Sequence, residues 1–275
     1  MTVTRFAPSP TGYLHLGHAH SALVGWHRAR AESGRFLLRI EDIDPARCRP
    51  EFEAAILEDL GWLGLGWEQP VWRQSDHRAD YQGALDRLRG LGVLYPCFCS
   101  RKDIAAAVSA PHGPEGPIYP GTCRNQPADL VRERQEQGDP YALRLDVAKA
   151  RAMTGPLSFQ DQREGAVEAR PETLGDVVLA RRDAPASYHL CVTVDDHLQG
   201  VTLVTRGVDL FHATHIHRIL QAILDLNVPT YLHHLLLTNA AGERLSKRDG
   251  AVAIRALRQA GRSAAEVRAL AGFSD

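Results

Sequence analysis

His15 and His18, separated by Leu16-Gly17, close a loop that begins Arg5-Phe6-Ala7-Pro8-Ser9-Pro10-Thr11-Gly12. A short apolar strand, Val3 to Phe6, runs into this proline- and glycine-built loop, and a helical pattern follows from Ala19 to Ser33. A strand, a turn and a helix N-terminus in that order make an anion site, because free backbone N–H groups and the helix dipole both favour a phosphate. Gly17 removes a side chain, so a nucleotide can approach the backbone closely. The two histidines add donors that can follow charge developing on a phosphate. Either histidine alone fits a surface turn; the fourteen-residue string as a whole points to phosphate chemistry.

A second set of reactive residues lies further along. Cys97-Phe98-Cys99 is followed by Cys123 after a Gly/Pro-rich stretch, and the chain has five cysteines in all, the others being Cys48 and Cys191. An odd count argues against a disulfide framework. Three thiols at this spacing suggest zinc, which takes four tetrahedral ligands. Three reduced, partly buried thiols fit the same pattern. The chemistry of the residues nominates His112 as a fourth ligand.

The elements that must carry these groups form an α/β pattern. Strand-like Arg35–Ile40 follows the first helix, which makes a strand–helix–strand unit of a parallel sheet. Glu41 stands at the end of that strand, where ligands of such sheets sit. It is placed to meet a ligand ammonium, although a solvated loop acid fits the same spacing. Pro50 opens a helix whose inner face is Phe52, Ile56, Leu57, Leu60 and Leu63. A second helix spans Arg78 to Leu91. The stretch from Leu94 to Pro185 is rich in Pro and Gly around residues 111–121 and reads as an insertion between two halves of a nucleotide-binding fold, with a helix near Ala128–Gln137 and a strand Tyr141–Val147. Tyr188–Val194 reads as a buried strand, Asp195–Gly200 as a turn, Val201–Thr205 as a returning strand and Asp209–Leu226 as a helix with Ile216, Ile219, Leu220 and Ile223 inward. On that helix His212, His215 and His217 read as polar surface, and His233 and His234 receive no role. The expected division is therefore 1–93 and 186–238 for the two catalytic halves, 94–185 for the insertion, and 239–275 for a polar loop and short helical tail.

With 275 residues, 44% hydrophobic and 24% charged, the composition is that of a soluble globular protein. No apolar run reaches the ~20 residues that span a bilayer, so no membrane partner is expected. The N-terminus lacks a basic-then-apolar pattern, which makes the expected location cytoplasmic. A net charge of −1 excludes global attraction to nucleic acid, so any RNA binding must use a local patch. Lysine occurs only at 102, 149 and 247, which makes Lys247 stand out.

The Arg5–His18 string resembles the first motif of class I aminoacyl-tRNA synthetases in its glutamyl form. Arg244-Leu245-Ser246-Lys247-Arg248 resembles their second motif, with Arg244 in place of the usual first lysine. Val194-Asp195-Asp196-His197 and Arg206-Gly207-Val208-Asp209 resemble segments between the two, although Val208 stands where many glutamyl enzymes carry an acid. The resemblance covers roughly residues 3–250 and is nearest to the short glutamyl-queuosine paralogues. It implies a Rossmann-type parallel sheet with an inserted zinc-containing subdomain. The 25 residues after Gly250 are too few for the anticodon-binding region of ordinary glutamyl enzymes.

The resemblance also implies roles. Glutamate has two carboxylates and one ammonium, so its pocket needs two cationic ends and one anionic end. Arg5 and Arg206 would supply the cations and Glu41 the anion. Ser9 and Tyr188 would supply neutral hydrogen bonds, and Ala7 would complete the wall. Which arginine meets which carboxylate is open. ATP, as substrate with Mg2+, would lie over Pro8, His15, Gly17 and His18, under Arg244, Leu245, Ser246 and Lys247. His15, His18 and Lys247 would be catalytic. The resemblance names Tyr119 instead of His112 beside Cys97, Cys99 and Cys123 as a zinc ligand. The implied activity is tRNA-independent formation of glutamyl-adenylate, then transfer to queuosine at the wobble position of tRNA(Asp), with the insertion holding the anticodon arm. The alternatives are a truncated glutamyl-tRNA synthetase charging the 3′ end and a non-catalytic tRNA- or glutamate-binding module. A glutaminyl enzyme fits less well, because an arginine-rich pocket suits a carboxylate better than an amide.

Overall fold

β1 (Val3–Phe6) enters a sheet with all four residues buried. The computed structural model describes residues 1–106, 112–113, 116–181, 184–238 and 252–274. α1 (Leu16–Ala31) crosses over to β2 (Arg35–Ile40), which pairs in parallel with β1, Val3 opposite Arg35 and Phe6 opposite Leu38. A parallel pair needs such a crossover, and strands covered on both faces read as continuous apolar runs such as Phe36-Leu37-Leu38. α2 (Pro50–Trp62) begins with its proline in the first turn, and β3 (Glu68–Arg73) then adds in parallel to β2. α3 (Arg78–Gly90) buries Tyr81, Ala84, Leu85 and Leu88.

The next elements are β4 (Leu94–Cys97), α4 (Arg101–Ala106), β5 (His112–Gly113), β6 (Gly116–Pro117), α5 (Ala128–Glu136), β7 (Ala142–Leu145), α6 (Val147–Thr154), β8 (Ser158–Asp161), β9 (Gly165–Glu168) and β10 (Val178–Arg181). β10, β7 and β4 form an antiparallel sheet, and β5 pairs with β6. α7 (Tyr188–Leu198), β11 (Leu203–Gly207), α8 (Ala213–Ile223), β12 (Thr230–His234), α9 (Ile254–Gln259) and α10 (Ala264–Leu270) complete the chain. The β8–β9 hairpin does not stay with β4, β7 and β10. It extends the parallel pair β11–β12 into a four-stranded sheet, with Asp161 opposite Tyr231. β1 meets β11 through Thr202, whose N–H donates to the Val3 carbonyl at 3.0 Å. An α/β architecture with parallel strand pairing is thus present.

Two expectations are corrected. Tyr188–Val194 is the first part of helix α7, not a strand, and Asp195 and Asp196 continue that helix instead of turning the chain. A short apolar run cannot be told from a buried helix by periodicity alone. Here the helix turns Leu190, Cys191 and Val194 into one core with α3 and α8. It ends where Gly200 takes a positive φ of 64°. His215 and His217 are also not polar surface: both are buried, at 7% and 2% exposure. The apolar face of α8 is as expected, with Ile216, Ile219 and Leu220 fully buried.

Candidate active site

The start of α1 is capped by its own histidines. His15 is the N-cap, and its Nδ1 accepts the Gly17 N–H at 3.1 Å. His18 Nδ1 accepts the His15 N–H at 3.2 Å. Two imidazoles thus make the reciprocal arrangement that serine and glutamate make in a capping box. Because both Nδ1 atoms accept, each neutral ring carries its hydrogen on Nε2, as a donor. The rings lie 3.8 Å apart. The backbone of Ala253 bridges to His15, and Ile254 N–H donates to the Leu14 carbonyl at 2.8 Å.

Below this helix end lies a buried charge cluster. Arg5 donates from Nε to Asp196 Oδ1 at 2.9 Å and from Nη1 to the Thr205 carbonyl at 3.2 Å. Arg39 donates from Nη1 to Asp196 Oδ1 at 2.8 Å, and its Nε lies 3.6 Å from Glu41 and 3.7 Å from Asp195. Asp195 accepts from Trp72, Gln74 and Tyr81. Burial would raise the Asp196 carboxyl, but Arg5 and Arg39 outweigh it and hold it below the usual range. Glu41 goes the other way: burial pushes it up to about 7, against the pull of Arg39 and Arg5.

Arg206 is handled differently. It is 4% exposed. Its Nε donates to His233 Nε2 at 3.1 Å, Nη1 to Tyr188 Oη and His217 Nδ1 at 3.2 Å each, and Nη2 to Thr214 Oγ1 at 2.6 Å. Burial and the Arg206 charge hold His233 at about 4 and His217 well below its usual value, so both are neutral. All four partners are therefore uncharged, and no carboxylate of the described residues pairs with this guanidinium. A buried cation without an anion is costly, which makes this position receptive to a ligand anion.

Arg5, Glu41 and Arg206 from these clusters, with the two capping histidines, line one cavity of about 340 Å³. It brings together Arg5, Ala7, Pro8, Ser9, His15, Gly17, His18, Glu41, Tyr188 and Arg206, ten residues singled out from sequence. A second cavity of about 390 Å³, bordered by Asp44, Arg47, Cys48 and Arg181, meets the first at Ser9, Thr11, Glu41 and Tyr188. Arg244, Leu245, Ser246 and Lys247 lie outside the described residues. The chain on either side of that segment does reach the site, since Leu236 and Leu237 line the first cavity and Ala253 bridges to His15.

The sulfur atoms of Cys97, Cys99 and Cys123 lie within 4.8 Å of one another. Cys99 Sγ is 3.6 Å from Cys123 Sγ and 3.7 Å from Tyr119 Oη, and Tyr119 Oη accepts the Cys123 N–H at 2.8 Å. Tetrahedral zinc with sulfur at ~2.3 Å holds its thiolates about 3.8 Å apart, so the donor set and its spacing fit the ion. The His112 side chain lies outside the described residues.

A family model described as tRNA synthetases class I (E and Q), catalytic domain, matches residues 1–270. A protein of Rhodobacter capsulatus named glutamyl-Q tRNA(Asp) synthetase is 52% identical, with 98% of this chain and 100% of the relative covered. The chain belongs to the class I tRNA synthetases, in their glutamyl-Q tRNA(Asp) branch. A Nocardia farcinica protein of the same name is 46% identical over 97% of this chain and 82% of its own length. Among solved structures, the glutamate-tRNA synthetase of Elizabethkingia anophelis superposes with a TM-score of 0.77 at 28% identity. This chain spans 90% of itself but about half, 53%, of that structure.

For a synthetase of this family, the sequence reading missed the groups that build the Arg206 shell: Asp161, Thr214, His217 and His233. One signal was legible. Two histidines inside the apolar strand Thr230-Tyr231-Leu232-His233-His234 are polar residues where burial is expected, and such groups need partners. Asp196 lies in the Val194-Asp195-Asp196-His197 segment legible in the sequence, but its pairing with Arg5 is set by the fold. No helix among the described residues is long and apolar enough to cross a membrane.

Proposed function

We propose that this synthetase activates L-glutamate with ATP, without tRNA, and transfers it to queuosine at the wobble position of tRNA(Asp). The observation that carries this reading is Arg206, a buried guanidinium with only neutral partners among the described residues, facing the same cavity as the carboxyl of Glu41. A ligand with an ammonium and more than one carboxylate complements that arrangement. Glu41 takes the ammonium, and Arg206 and Arg5, with Ser9, Ala7 and Tyr188, take the rest of glutamate.

The carboxylate oxygen of glutamate attacks the α-phosphorus of Mg-ATP in line, forming glutamyl-adenylate as pyrophosphate leaves. Nε2–H of His15 and His18, the α1 N-terminus at Gly17, and Lys247 stabilise the phosphate charge, so the catalysis is mainly positioning and electrostatics. Pro8, Arg244, Leu245 and Ser246 complete the ATP site. A hydroxyl of the tRNA base then attacks the acyl carbon and AMP leaves. The second cavity, which opens beside Glu41 and Tyr188, is the approach for that hydroxyl. The insertion, 94–185, holds the anticodon arm. Zinc would be held by Cys97, Cys99, Cys123 and Tyr119, and would join the end of β4 to the chain that leads into α5. This chemistry belongs to the cytoplasm, where ATP and tRNA meet.

The experiment is transfer of labelled glutamate to bulk tRNA from a host that makes queuosine and from one that does not. Label confined to the queuosine-containing tRNA supports the reading. Equal label on both makes this a 3′-end glutamyl-tRNA synthetase, and absence of ATP–pyrophosphate exchange with glutamate makes it a binding module.

A further inference from the structure

Arg206 is held by side chains that themselves need fixing. An imidazole can accept from Arg206 only through a nitrogen without hydrogen, and the tautomer is set by what the other nitrogen touches. For His233 the other nitrogen touches a carboxylate: Nδ1 lies 2.7 Å from Asp161 Oδ2, and both side chains are fully buried. An ionised carboxylate only accepts, so the hydrogen must be on Nδ1. Nε2 is then bare and accepts from Arg206 Nε at 3.1 Å. Thr214 closes the ring: its Oγ1 accepts from Arg206 Nη2 and lies 3.2 Å from His233 Nε2, to which it donates.

Asp161 is in turn fixed as an acceptor. Its Oδ1 takes the N–H groups of Arg163 and Glu164 at 2.9 and 3.1 Å, and its Oδ2 also takes the His233 N–H at 3.3 Å. These bonds and His233 hold its carboxyl below the usual range despite burial. Asp161 reaches the site because β8 pairs beside β12.

We propose that Asp161 and His233 are positioning residues for Arg206, setting one imidazole tautomer so that the guanidinium faces the amino-acid cavity with its charge unneutralised. Neither touches the reacting atoms; Asp161 acts through His233, and His233 through Arg206. A carboxylate placed directly on Arg206 would compete with the ligand. A carboxylate placed one imidazole away orients the arginine and leaves its charge for the ligand. This inference rests on the reading of the cavity as a glutamate site.

The test uses the full chain, with glutamate and ATP binding measured separately by calorimetry and the imidazole tautomers read by 15N NMR. In Asp161→Asn the amide removes the demand for hydrogen on Nδ1. The His233 signal should shift toward the Nε2–H form, and glutamate binding should weaken about tenfold or more with ATP binding unchanged. His233→Gln, whose amide oxygen can still accept from Arg206, should keep more glutamate affinity than His233→Met, of similar size and without an acceptor. An unchanged tautomer or unchanged glutamate affinity in Asp161→Asn overturns the proposal. So does equal loss in the Gln and Met variants, or parallel loss of ATP and glutamate binding. Wild-type protein that binds no glutamate would overturn the reading of the cavity and this role with it. That outcome is told apart by the wild-type titration itself.

Discussion

Arg5 Nε donates to Asp196 Oδ1 across 2.9 Å, so one of the two arginines facing the cavity arrives already paired with a carboxylate. Asp196 also accepts from Arg39, and it therefore holds two buried cations at once. Removing one partner of a buried pair leaves an uncompensated charge. Asp196→Asn should destabilise the protein by about 3–5 kcal/mol. Urea denaturation of the two proteins at one pH measures this.

Among the described residues Arg206 has no such internal anion. Arg206→Leu should therefore weaken glutamate binding by about 10- to 100-fold, the range for a hydrogen bond to a charged group, while the KM for ATP stays within a few-fold. Steady-state ATP–pyrophosphate exchange, with each substrate varied in turn, separates the two constants. An equal rise in both would count against Arg206 as a glutamate contact.

If Glu41 takes the ligand ammonium, as proposed, glutamate binding should depend on pH. Its carboxyl is raised to about 7 in the free protein, and only the ionised form complements an ammonium. Affinity should fall as pH drops through 7, and binding near pH 7 should release a proton. Calorimetry in buffers of different ionisation enthalpy detects that proton, and Glu41→Gln should abolish it. The same shift has a stability consequence of opposite sense to a salt-bridged acid. The folded chain holds this proton more tightly than the unfolded one, so this group reduces stability progressively as pH rises from its ordinary 4.5 through about 7.

The cysteine cluster should carry one zinc per chain. Cys99→Ser or Cys123→Ser should lower the metal content measured by elemental analysis, and a strong chelator should release thiols that react with a thiol reagent. Tyr119→Phe should lower zinc affinity more than His112→Ala if the phenol oxygen is the fourth ligand.

His15→Ala and Lys247→Ala should each lower kcat for glutamate-dependent exchange by about 10²–10³ while leaving glutamate binding nearly unchanged, the scale for loss of a donor aimed at developing charge. Calorimetric titration with glutamate alone checks the second half of that expectation.

Local chemistry carried much of this protein in its sequence. A strand, a Pro/Gly loop and His15-Leu16-Gly17-His18 specify a capped helix N-terminus whatever surrounds them, because capping and dipole are properties of neighbouring residues. Cys97, Cys99 and Cys123 are soft ligands in any fold that closes the loop between them. Long-range pairing is another matter. Tyr188–Val194 is as apolar as a strand, and only packing against α3 and α8 made it the helix that carries Asp195 and Asp196 inward. Arg5 and Arg206 are the same residue type at the ends of two strands. Among the described residues one is neutralised and one is not, because α7 brings Asp196 to the first, while α8 and β12 bring neutral Thr214, His217 and His233 to the second. Electrostatic energy depends on separation in space, and the sequence separation of 191 between Arg5 and Asp196 is closed to 2.9 Å by the tertiary fold alone.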